Sequence, residues 1–217
     1  MNPATADKAL AELCEIYWYP VYAFIRRSGM SADDAMDHTQ DFFLTILSRG
    51  DFAKADPALG KLRSYLLGAV KHHLGKARDK AHALKRGGGA IVVSIDEIQA
   101  EQRYALEPAD VATPEKLYER RWAMTIMGNA MQSLRDSHER RGKQAEFDIL
   151  LPFLPWNSGE DYNAAAAALK VTTATATVKV KRLRQNLHKA LVAELDQTVS
   201  DENEILEELR FLSAAFS

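Results

Sequence analysis

Asp33, Asp37 and Asp41 recur every four residues within the stretch SADDAMDHTQDFFLTIL, residues 31–47. On a helix that spacing puts three carboxylates on one face. Closely spaced carboxylates can share acid–base work or hold a metal ion, but a mononuclear or binuclear site would want His or Glu facing in; none converges here, and His38 sits one residue out of the stripe. His72, His73 and His82 raise the same question in the next segment. Adjacent histidines on a helix point about 100° apart and cannot both ligate one ion without strain. No cysteine is near them, and Cys14 is the single cysteine of the chain. There is no nucleophile paired with a base, and Gly87–Gly89 lacks the lysine of a phosphate-cradling loop. The residues therefore predict no catalysis, no cofactor and no metal, and direct attention to charged surfaces that bind. Like charges four apart repel by a few tenths of a kcal/mol per pair. A basic partner surface and a solvated acidic face account for the stripe equally well. Phe42, Phe43, Ile46 and Leu47 supply its core side.

The formal net charge of −2 hides strong segregation. Lys61 to Ala90 holds eight Lys/Arg and one Asp, Asn163 to Leu191 six Lys/Arg and no acid, and Val192 to Ser217 seven Asp/Glu and one Arg. Two basic helical segments are a footprint for a polyanion contacted at two places, although each alone could be a solvated face. The first, LRSYLLGAVKHHLGKARDKAHALKRGGG, mixes apolar positions with cations and ends in a basic glycine-rich loop. That suits single-stranded or distorted nucleic acid.

The second basic segment begins DYNAAAAALKVTTATATVKVKRLRQNL, from Asp161. Alanines make a short, closely packing helix with Asp161 as N-cap, and Thr172 caps a second helix. Ala176, Val180, Leu183 and Leu187 form its apolar stripe. The opposite side carries Ala174, Val178, Lys181, Arg182 and Gln185, flanked by Thr175 and Thr177. A short helix, a tight turn and a longer helix with a basic, hydroxyl-rich outer face predict a helix-turn-helix. Threonine methyls and Val178 would meet thymine methyls, and Lys/Arg guanine edges or phosphates. An ordinary amphipathic pair explains the stripe but not the all-positive outer face.

The elements that must position these residues are helical, and no hairpin pattern appears. With 47% hydrophobic residues the chain can build packed cores. Gly29, Gly50 and Gly87–Gly89 mark helix ends. Thr113 caps a helix with Pro114 in its first position, and further breaks fall near Gly142, around Pro152–Gly159 and at Lys170–Val171. VVSI, residues 92–95, reads as a short extended piece. Leu206, Leu209, Leu212 and Phe216 predict an amphipathic acidic helix at the C-terminus. The expected fold class is all-α: two small helical domains joined by a linker, with an N-terminal domain at 1–89, a linker at 90–113, a C-terminal helix-turn-helix domain at 114–195 and an acidic extension at 196–217. No apolar run reaches the roughly 20 residues that span a bilayer, and the N-terminus lacks a signal-peptide pattern. The lone cysteine, read as a small buried residue, fits a reducing cytoplasm.

Taken together, D-x-x-Q-D-x-F (Asp37, Gln40, Asp41, Phe43), then LRSYL, then a C-terminal VKVKRLRQNL, resemble the extracytoplasmic-function subfamily of bacterial RNA polymerase sigma factors, from about Leu10 to Leu195. The resemblance implies a subunit that binds core RNA polymerase and promoter DNA and performs no chemistry itself. By position it implies that Asp33, Asp37, Gln40, Asp41 and Phe42 face core polymerase. It places Arg63, Tyr65, Lys71, His72, Lys76, Arg78 and Lys80 at the promoter's minus-ten element. Thr172, Thr173, Thr175, Thr177, Lys181 and Arg182 fall at the minus-thirty-five element. Three departures stand out. Lys170 replaces the family's turn glycine and implies a turn of different shape, Ala164 and Ala165 replace a glutamate and an isoleucine, and His72 replaces an asparagine. The acidic extension would either fold back over a basic surface, form an oligomer contact, contact a regulator such as an anti-sigma protein, or pack locally. A stand-alone helix-turn-helix regulator and an acid-tailed protein-interaction module are the alternatives.

Overall fold

The structure is a computed structural model and describes residues 3–48, 61–81, 97–107, 113–154, 161–196, 198–199 and 202–215. Among these the chain is all-α, with helices α1 (Pro3–Arg27), α2 (Ala32–Ser48), α3 (Leu62–Ala81), α4 (Glu97–Ala105), α5 (Pro114–Glu139), α6 (Gln144–Leu150), α7 (Tyr162–Leu169), α8 (Thr173–Asp196) and α9 (Glu202–Ala215), and a 3-10 turn at Leu151–Phe153. No described helix is long and apolar enough to cross a membrane. Gly50, Gly87–Gly89, His82, VVSI, Pro155–Gly159 and Phe216 lie outside the described residues.

The chain divides into two compact units, Met1–Ala123 with Thr198–Ser200, and Met124–Gln197 with Asp201–Ser217. The division falls inside α5 rather than across residues 90–113. Part of that expected linker is helix α4, and polar contacts hold it in the first unit. Glu101 accepts from Tyr22 Oη at 2.6 Å and from Arg26 Nε and Nη2 at 3.0 and 2.6 Å. Glu107 accepts from Tyr19 Oη at 2.9 Å and pairs with Arg121.

In the first unit α1 buries Tyr17, Trp18, Val21, Tyr22 and Ile25 and packs on α2 and α4, while α3 packs on α2. Trp18 and Tyr22 stack with ring centroids 5.4 Å apart. Cys14 is half-buried rather than buried. Two caps start helices where the sequence places them. The Asp34 N–H donates to Ser31 Oγ at 3.1 Å while Ser31 donates to the Asp34 carboxylate at 2.7 Å. The Lys116 N–H donates to Thr113 Oγ1 at 3.2 Å.

In the second unit α7 and α8 pack closely, α6 packs on both, and α9 lies on α8. Alanine permits the close approach: Ala165, Ala166 and Ala176 are all buried. Asp161 caps α7, accepting from the N–H groups of Asn163 and Ala164 at 2.9 and 3.0 Å. The end of α7 corrects an expectation. Lys170 adopts the left-handed conformation, φ 54° and ψ 45°. Its N–H donates to the Ala167 carbonyl at 3.1 Å and the Val171 N–H to that of Ala166 at 3.0 Å. Gly142 closes α5 by the same pair of bonds at φ 67°, to Glu139 from its own N–H and to His138 from Lys143. The turn therefore keeps a glycine's shape with a lysine in it, because the two hydrogen bonds satisfy the terminal carbonyls.

The acidic helix is also amphipathic, but along a different line. Ile205, Glu208 and Leu212 are buried, whereas Leu206, expected in the apolar stripe, is 52% exposed.

Candidate nucleic-acid interface

Helix α8 separates two faces cleanly. Ala176, Val180, Leu183, Leu187, Leu191 and Leu195 are buried. Ala174, Thr175, Thr177, Val178, Lys181, Arg182 and Gln185 are all exposed, Val178 at 48%. They are exposed with α9 in place, so the acidic helix does not fold over this face. Its threonines are fixed by local bonds. Thr172 Oγ1 accepts from the Thr175 N–H at 3.2 Å and lies 2.9 Å from Thr175 Oγ1. Thr173 donates to Asn163 Oδ1 at 2.9 Å, tying α8 to α7, and Thr177 donates to the Thr173 carbonyl at 2.9 Å. With those protons committed inside the chain, the Thr173 and Thr177 hydroxyls offer a partner lone pairs, and their side chains offer methyls.

The cations of α8 fall into two groups. Lys179 lies beside the buried stripe and pairs with Glu146 at 2.6 Å. Lys181, Arg182 and Lys189 are exposed, and none of them forms an ion pair among the described residues. A groove of about 680 Å³ runs beside the outer face, lined by Tyr162, Thr177, Val180, Lys181, Arg184, Gln185, His188 and Lys189. His188 and Lys189 continue the basic side beyond Gln185, the last residue expected on the outer face, and Arg184 adds to it from the groove side. Their spacing from Lys181 carries the signal that would have included them.

In the first unit Asp33, Asp37 and Asp41 are exposed, as a binding stripe requires, and Gln40 is half-buried. Phe42 is not at that surface. It is 1% exposed, with its ring 5.3 Å from Phe43 and 5.8 Å from His73. An aromatic ring at that helical position turns inward because burial removes its apolar area from water.

Helix α3 treats its cations unequally. Arg63, expected on DNA, is 7% exposed. It donates to Glu119 at 3.0 Å, lies over the Trp122 ring at 4.9 Å, and its carbonyl accepts from Tyr118 Oη at 3.0 Å. That makes it an interior tie between α3 and α5. Lys71 is exposed but pairs with Glu115 at 2.8 Å, and this hydrogen bond holds the Glu115 carboxyl below its ordinary range. His72 and Lys76 are exposed without an ion pair among the described residues, and Tyr65 is 38% exposed. Arg78 and Lys80 belong to α3, but their side chains are outside the described residues.

Tyr65, His72 and Lys76 line a groove of about 590 Å³ between α2 and α3, with Gly68 and Ala69 in its wall. The α2 wall contributes His38, Asp41 and Thr45. His38 and His73 meet edge to face at 5.9 Å, and His73 Nε2 lies 3.7 Å from Asp41 Oδ2. The sequence reading missed this convergence because His38 and His73 come from different helices. No group of three or more His, Cys, Asp or Glu among the described residues is arranged to hold a metal ion.

Set against models of known protein families, characterised proteins and solved structures, the chain has no match.

Proposed function

We propose that this chain is a promoter-recognition subunit of the sigma type, which binds core RNA polymerase and directs it to promoter DNA without performing chemistry itself. The observation that carries this reading is the outer face of α8. Lys181, Arg182, Val178 and the threonines are exposed on one side while the opposite stripe is buried. Read as a helix-turn-helix, α7 and α8 present α8 to the major groove. Cations reach guanine edges or phosphates, and methyl groups meet thymine. The groove between α2 and α3, with Tyr65, His72 and Lys76, supports a second contact on opened promoter DNA. The exposed Asp33, Asp37 and Asp41 offer a basic surface of the polymerase its counter-charge. Such a subunit works in the cytoplasm.

Asp37→Lys with Asp41→Lys is expected to abolish binding to purified core polymerase and to leave duplex DNA binding intact. If the unsubstituted chain, reconstituted with core enzyme on a genomic promoter pool, neither binds the core nor gives promoter-specific transcription, the sigma reading is removed. A stand-alone helix-turn-helix regulator is then the better account. The interior placement of Phe42 and Arg63 favours that second reading, because it removes one contact expected on each partner.

A further inference from the structure

The groove along α8 contains more than the outer face needs. Lys181, Gln185, His188 and Lys189 follow one another at i, i+4, i+7 and i+8, one side of a helix over about 12 Å. Arg184 enters the same groove with its guanidinium oriented, since Nε donates to the Phe153 carbonyl at 2.8 Å. The far wall is Tyr162, whose ring packs 5.0 Å from that of Phe153. Among the described residues no Asp or Glu lines the groove. Acidic residues are plentiful just downstream, yet Lys181 and Lys189 take no ion-pair partner among the described residues.

We infer that this groove is a seat for the sugar–phosphate backbone of the duplex whose bases the outer face of α8 reads, with Lys189, His188 and Arg184 as backbone contacts beyond the recognition positions. This rests on the DNA reading proposed above. The chemistry fits one occupant. Cations and neutral donors in a row, with no carboxylate among the described lining residues to reject an anion, match a chain of phosphates. Continuity with the outer face through Lys181, shared by both, brings one duplex to the two surfaces. Backbone contacts of this kind fix register and orientation and carry no sequence information.

The experiment measures affinity of the full chain for random-sequence duplex DNA across a salt series. Lys189→Gln is expected to weaken binding to all sequences alike and to flatten the slope of log affinity against log salt by about 1. Lys189→Arg should restore the slope. Lys179→Gln removes the same formal charge from the paired lysine beside the buried stripe and is expected to leave the slope unchanged. Equal effects of Lys179→Gln and Lys189→Gln, whether both large or both absent, would overturn the assignment. So would a Lys189→Gln variant with altered polymerase binding and an unaltered DNA slope, which marks the groove as a protein contact. If the unsubstituted chain shows no salt-dependent binding, the DNA reading itself fails. If its slope is steep and Arg182→Ala flattens it while Lys189→Gln does not, only the groove is lost.

Discussion

Arg63 Nη1 donates to Glu119 Oε1 at 3.0 Å, joining a helix that looks like a nucleic-acid contact to one that does not. The guanidinium also covers the Trp122 ring, and only 7% of the residue meets solvent. A basic residue at the start of a basic helix is thus part of the core of its unit. Arg63→Ala is expected to destabilise the protein by about 1–3 kcal/mol, through the lost charged hydrogen bond and the lost stacking on Trp122. Urea denaturation measures this. Under native conditions the same variant should keep the wild-type salt slope for DNA, whereas Lys76→Ala, at an exposed site, should flatten it. A flattened slope with unchanged stability for Arg63→Ala would reverse the assignment.

Lys170 and Gly142 perform the same task at the ends of α7 and α5, and only the glycine does so without a Cβ penalty. Lys170 is exposed, so its side chain gives nothing back in burial. Lys170→Gly is expected to raise stability by up to about 1 kcal/mol, offset in part by the greater freedom of glycine in the unfolded chain. Lys170→Val should lower it, since a β-branched residue tolerates positive φ poorly. Thermal melting of the two variants moving in opposite directions is the expected outcome; a fall for both would mean that Lys170 holds the turn by its side chain.

The two faces of α8 were legible in the sequence because a helix of 24 residues repeats its pattern often enough to fix its phase. Asp161, Thr172, Ser31 and Thr113 were legible as caps because the chemistry is local: a side-chain oxygen meets an N–H two or three residues on. What stayed hidden depends on distant partners. Glu119 is 56 positions from Arg63, and the positions between them give no sign that the two meet. Helix α4 was hidden for the same reason. Its short segment is polar, and its Glu101 is held by Tyr22 and Arg26, far away in the chain. The line of burial on α9 was misjudged by one residue, since Ile205 and Leu206 are equally apolar and only α8 decides between them.

Glu101 holds α4 to α1, and its dependence on pH follows from its partners. The hydrogen bond from Arg26 lowers its carboxyl below the ordinary glutamate value, burial opposes this, and Tyr22 Oη assists. Burial and the adjacent Glu101 carboxylate in turn raise the Tyr22 phenol above its ordinary range. A carboxyl held lower in the folded than in the unfolded chain contributes stability at pH values above its unfolded value, and that contribution is lost as pH falls through the folded value. Glu101→Gln is therefore expected to be less stable than wild type at pH 7 by about 1 kcal/mol, a charged hydrogen bond reduced by partial exposure. The difference should close on acidification from the ordinary glutamate range downward. A gap that stays constant to acid pH would show that packing, not the charge, holds α4.

Helix α9 carries the last test, because its acids invite the idea of a lid over α8. Ile205 and Leu212 are buried, while Lys181 and Arg182 stay exposed in the same unit. Ile205→Ala is expected to cost about 2–4 kcal/mol and Leu206→Ala under about 0.5 kcal/mol, since only the first leaves a cavity. Removing α9 after Leu195 should destabilise the unit, and should raise DNA affinity only through the lost negative field. Fields of exposed charges are screened over roughly 10 Å at 0.1 M salt, so the gain should shrink steeply as salt rises. A lid that physically covered the recognition face would give a gain that persists at high salt. Comparing truncated and full-length protein at about 50 and 200 mM salt separates a field from a cover, and the open face of α8 predicts the field.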